Sequence, residues 1–73
     1  MLPTYDGKIN NDKELGLLYA SMISGKDINT LTYSKGKAGK GSVKDAQGND
    51  IFTDVSDEVM RRKIARMVAM EQI

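Results

Sequence analysis

The C-terminal stretch "VSDEVMRRKIARMVAMEQI" constrains the fold more than any other part of the chain. Ser56 suits a helix cap, and Asp57 and Glu58 put negative charge in the first turn, where the helix dipole favours it. At about 100° per residue, Met60, Ile64, Met67 and Val68 gather on one side, while Arg62, Ala65, Arg66 and Ala69 point away. The pattern predicts a helix over 57–71 whose apolar stripe must be buried against something else.

A second stripe is the natural partner. In "NNDKELGLLYASMISGKD" the residues Leu15, Leu18, Tyr19, Met22 and Ile23 recur at helical spacing. Asn11 or Asp12 is a competent cap, Glu14 sits in the first turn, and Gly25 can take the left-handed conformation that ends a helix. A helix over 12–24 is expected. Gly16, Ala20 and Ser24 form a row of small residues beside its stripe, which would let another helix approach closely.

Between the helices the composition turns extended. "DINTLTYS" is rich in β-branched and aromatic residues, so Ile28–Ser34 is expected as a strand with Leu31 and Tyr33 on one face. Farther on, Gln47–Asp50 carries turn-type residues between Ser42–Ala46 and Ile51–Val55. The strands can pair locally around Gly48. Alternatively, Ile28–Ser34 can pair with Ile51–Val55 across a long tip, or a three-stranded meander can combine both. The expected fold is therefore α+β: two amphipathic helices flanking a small antiparallel β-hairpin or meander. Residues 11–73 would form one domain, with 1–10 as an irregular arm containing Pro3 and an Asp6-Gly7 turn and a flexible Gly/Lys loop at 35–42.

The chain has 73 residues, one proline, no cysteine and no histidine. A domain this small buries only ~60% of the surface its unfolded chain exposes. With no disulfide or zinc site to staple it, association with a partner or with copies of itself is the usual remedy. No metal or other cofactor is expected, nor a small-molecule substrate. Nucleophilic catalysis has no cysteine, histidine or serine elbow to rest on, so no enzyme is expected. The longest apolar run, Leu17–Ala20, is far short of the ~20 residues of a membrane span, and the mixed, polar opening resembles no signal peptide. A cytoplasmic setting, or a virion if phage-encoded, follows as the expectation.

Charge is laid out in blocks. Lys35, Lys37, Lys40 and Lys44 precede the five acids Asp45, Asp50, Asp54, Asp57 and Glu58, and Arg61, Arg62, Lys63 and Arg66 follow. "KGKAGKGS", residues 35–42, has glycine, lysine and serine out of order for a phosphate-cradling loop, and no helix follows it directly. What remains is a lysine-bearing hairpin tip that could touch phosphates or an acidic protein. Arg61, Arg62 and Arg66 offer the same contact from a helix, without base-reading residues beside them. The acids alternate as in a calcium loop through Asp45, Gln47 and Asn49, yet lack its closing glutamate.

Two segments, "LLYASMISGKDI" and "DIFTDVSDEVMRRKIARM", resemble the phage head-to-tail joining protein W family. One is an amphipathic helix closing with "SGK" into a strand; the other is a strand running through a serine cap into a helix. The resemblance implies two helices flanking a β-hairpin and a protein added beneath the portal before tail attachment. The functional expectation is accordingly a non-enzymatic structural or adaptor protein of a multi-subunit assembly, with phage head–tail joining as the setting the resemblance implies. Its packing and interface residues would be Leu15, Leu18, Tyr19, Met22, Met60, Ile64 and Met67. The alternative is a small nucleic-acid-binding regulator using the lysine loop and the arginine helix.

Overall fold

The computed structural model describes residues 11–71, so the arm expected over 1–10 lies outside the described residues. Helix α1 spans Asp12–Ser24 and helix α2 spans Asp57–Glu71. Between them lie strands β1 (Thr32–Lys35), β2 (Gly41–Lys44) and β3 (Asp50–Val55). The strands form an antiparallel sheet in the order β1-β2-β3, so the fold is α+β and the meander is the pairing adopted.

The helix ends follow their local chemistry. The Asn11 side chain accepts hydrogen bonds from the Lys13 and Glu14 amides, and Gly25 closes α1 in the left-handed conformation at φ 73°. At the start of α2 the Val59 amide donates to Ser56 Oγ at 3.3 Å. The first strand starts later than its composition suggests. Ile28–Thr30 forms a 3-10 turn instead, because Asp27 accepts from the Asn29 amide and the Thr30 hydroxyl donates to the Asp27 carbonyl. Such side-chain bonds offer the backbone an alternative to the ladder.

The Gly/Lys segment is shorter as a loop than expected. Lys35 belongs to β1, and Gly41 and Ser42 belong to β2, paired as Lys35↔Gly41 and Ser34↔Ser42. Only 36–40 connect the strands. Ala38 (φ 59°) and Gly39 (φ 72°) are both left-handed, and the Lys40 amide donates to the Lys37 carbonyl at 3.2 Å. Two left-handed central residues match the twist of a hairpin, but alanine is a poor occupant of the first. Replacing Ala38 with asparagine is expected to stabilise the domain by about 0.5–1 kcal/mol, read as a higher urea midpoint at unchanged slope.

The second hairpin is organised by Asp45. Its buried Oδ1 accepts from the Gln47 and Asn49 amides at 3.0 and 2.9 Å, and Lys26 stands 4.0 Å from Oδ2. The amide of Asn49, then that of Gln47, hold this carboxyl below its usual range, as ion binding is not needed to do. Opposite Ser42, β3 carries two residues, Thr53 and Asp54, and the Asp54 amide donates to Ser42 Oγ at 3.0 Å. That bulge twists the exposed edge of β3.

Helix α1 lies across all three strands and also against α2. Leu15, Leu18, Tyr19, Ala20, Leu31, Val43, Phe52, Met60 and Ile64 make the buried core. Tyr19 and Phe52 meet with ring centroids 5.2 Å apart. The small-residue row of α1 is used differently from the expectation. A Cβ on Gly16 would stand 2.6 Å from Tyr33 Cδ1, and one on Gly41 would stand 2.7 Å from Tyr33 Cε1. Gly16 therefore receives a tyrosine ring from the sheet, not a helix.

Candidate functional site

Three surfaces and one polar junction emerge from this arrangement. At the hairpin tip, Lys37, Ala38, Lys40 and Asp54 line a shallow hollow of about 270 Å³. On the outer side of α2, Val59, Arg62, Lys63 and Arg66 line another of about 410 Å³. These two basic regions line separate hollows.

The cations expected to act together are divided by their partners. Lys35 Nζ donates to Asp12 Oδ2 at 2.6 Å, a bond that raises the lysine's pKa. Lys44 stands 3.6 Å from Asp50, and Arg62 3.3 Å from Glu58 one helical turn away. Arg61 is half-buried, and its charge bears on Asp12 and Asp57. Among the described residues, Lys37, Lys40, Lys63 and Arg66 have no ion pair. The unpaired cations are thus fewer than the sequence blocks suggest: Lys35, though exposed, is tied to Asp12.

The third surface is apolar. Along α1, burial falls from Leu15 at 0% exposed, through half-buried Met22, to Ile23 at 43%. Along α2 it falls from Met60 and Ile64 at 0% to half-buried Met67 and Val68, while Met70, one turn beyond Arg66, is 67% exposed. Both stripes lose their cover toward the C-terminal ends of their helices. Of the residues expected to pack or to meet a partner, Leu15, Leu18, Tyr19, Met60 and Ile64 are core, and Met22 and Met67 sit at its margin.

The junction joins the first turns of both helices to β1, where Asp12 is a candidate cap and Asp57 a first-turn charge. Asp12 and Asp57 shift each other's titration: the Lys35 bond first and Asp57 second lower the pKa of Asp12, and Asp12 raises that of Asp57. Lys35 bonds Asp12 from β1, and Tyr33 stands beside them with its hydroxyl raised in pKa by burial first and by Asp12 second. Asp57 Oδ1 and Tyr33 Oη are both buried without a hydrogen-bond partner. Nothing in the local sequence around either acid announces this mutual effect.

Among the described residues no group of three or more histidine, cysteine, aspartate or glutamate side chains could hold a metal ion, and no helix is long and apolar enough to cross a membrane. No family model matches the chain, and neither a curated protein nor a solved structure does so.

Proposed function

We propose that the chain is a non-enzymatic assembly protein whose copies dock on one another through the C-terminal ends of α1 and α2. The observation that carries this reading is the loss of cover along both stripes toward their C-terminal ends, near which Ile23 and Met70 stand exposed. Methionine adapts its shape to an irregular partner surface, and four of the five methionines lie in the helices. A second copy is the occupant favoured by size, since exposed apolar side chains such as Ile23 and Met70 can face their own images across a two-fold axis. Burial against a copy also supplies apolar area that a domain without disulfide or metal lacks. Head–tail joining in a phage particle, the setting implied by the resemblance, is one assembly in which such a subunit would serve.

Replacing both Ile23 and Met70 with glutamate is expected to reduce self-association at least tenfold while leaving the monomer folded, since both side chains are already exposed. Sedimentation equilibrium of the wild-type chain and the double variant reads this directly. A wild-type chain that stays monomeric up to millimolar concentration would overturn the reading.

A further inference from the structure

We propose that the outer face of α2 binds the phosphate backbone of duplex nucleic acid through Arg62, Lys63 and Arg66, without reading its sequence. These three cations and Val59 line one hollow of about 410 Å³, and no carboxylate lines it. Helical period puts them there: at about 100° per residue, positions 59, 62, 63 and 66 fall within one sector of roughly 100°, turned away from buried Met60 and Ile64. The three charged side chains are exposed and Val59 is half-buried. Lys63 and Arg66 have no ion pair among the described residues. Arg62 stands 3.3 Å from Glu58, but both side chains of that pair are exposed. Exposed pairs are weak and screened by salt, so the guanidinium is able to turn to a phosphate.

Charge is more available here than at the hairpin tip. There Lys37 and Lys40 share their hollow with Asp54, two cations against one acid. On α2 the three cations less Glu58 still leave two positive charges in excess. Lys35 and Lys44, which flank the tip in sequence, are engaged by Asp12 at 2.6 Å and Asp50 at 3.6 Å. An approaching polyanion therefore meets less opposing charge along α2.

The lining also selects the class of partner. Protein interfaces have an apolar centre depleted in lysine, whereas Val59 is the single apolar side chain of this hollow. Single-stranded nucleic acid is held largely by stacking on aromatic rings, and none lines it. Base edges are read by asparagine or glutamine as well as by arginine, and neither amide is present. A duplex backbone asks only for cations in a row. Arg62 and Arg66, four residues apart, stand about 6 Å apart along the helix axis, and their long side chains are able to take neighbouring phosphates. The surface is separate from the C-terminal helix ends proposed for self-docking, and neither proposal rests on the other.

Fluorescence anisotropy of the full chain, titrated onto labelled DNA and RNA duplexes of equal length and arbitrary sequence, tests the proposal and shows which backbone is taken. Three phosphate contacts to the DNA duplex give a slope of about −2.7 for log affinity against log salt, a loss of roughly fortyfold between about 50 and about 200 mM. This readout needs no variant to fold. Lys63→Gln with Arg66→Gln is expected to weaken binding about tenfold or more and to bring the slope to about −0.9, with the circular dichroism spectrum unchanged because both side chains are exposed. Lys37→Gln with Lys40→Gln removes the same charge from the hairpin tip and should change affinity by less than about threefold. Equal losses from the two double variants would overturn the proposal. So would binding to neither duplex at low salt, a wild-type slope shallower than about −1, or tighter binding to poly-glutamate than to the duplexes.

Discussion

Ile64→Ala is expected to strip the domain of much of its stability. Ile64 is 0% exposed and belongs to the stripe by which α2 holds to the rest of the core. Truncating a buried isoleucine to alanine costs about 2–5 kcal/mol, the lost transfer energy plus the cavity left behind. A small domain has about 5 kcal/mol to lose, at the low end of natural stabilities. Urea unfolding followed by circular dichroism would show the midpoint collapse. Arg66→Ala, two residues along on the exposed face, provides the control and should move stability by no more than about 0.5 kcal/mol. A loss below about 1 kcal/mol for Ile64→Ala would mean that α2 is not anchored by its stripe.

The second large effect is expected at Gly16. Adding a side chain in a helix interior normally helps, and Gly→Ala gains up to about 1 kcal/mol from propensity alone. Here the added Cβ would lie 2.6 Å from Tyr33 Cδ1, and the ring cannot retreat because Gly41 confines it from β2. Overpacking of this kind costs about 1–3 kcal/mol, which outweighs the propensity gain. Gly16→Val adds two further methyl groups and the χ1 stiffness of a β-branched residue, so it should lose stability at the upper end of that range. The interaction is testable as a pair. In a cycle with Tyr33→Ala, removing the ring should recover part of the loss, with a coupling of about 0.5–3 kcal/mol. Additive effects would show that Gly16 is required for some reason other than the ring.

Both predictions start from residues whose types were plain in the sequence, but only one role was legible there. Ile64 was readable because helical period and burial are local: each residue's direction follows from its place in the turn. The helix limits were readable for the same reason. Asn11, Gly25 and Ser56 act within three or four residues of themselves, and the helices begin and end where those residues stand. Gly16 was readable only as a small residue on a flank. Its use depends on where Tyr33 arrives, and β1 could have reached that place only through the sheet.

The strands divide along the same line. Turn residues around Gly48 marked one hairpin, and Asp45 made it by capping two amides. The other hairpin depends on Ala38 in a left-handed conformation that its residue type disfavours, so the residues of 35–42 predict a longer loop than the five that connect β1 to β2. The cations show the cost of reading charge in blocks. Lys35 and Arg61 sit among basic neighbours in the chain, yet in space they stand beside Asp12 and Asp57.

By itself, then, the sequence determined two helices, their limits, the faces they bury and the α+β class, because caps, period and turn chemistry act over a few residues. Tertiary structure alone decided that β2 is the central strand, that a tyrosine ring fills the glycine slot of α1, and that Lys35 of the sheet pairs with Asp12 of α1. Those outcomes depend on contacts between distant segments, where the free energy of any one residue is set by neighbours its own stretch of chain does not specify.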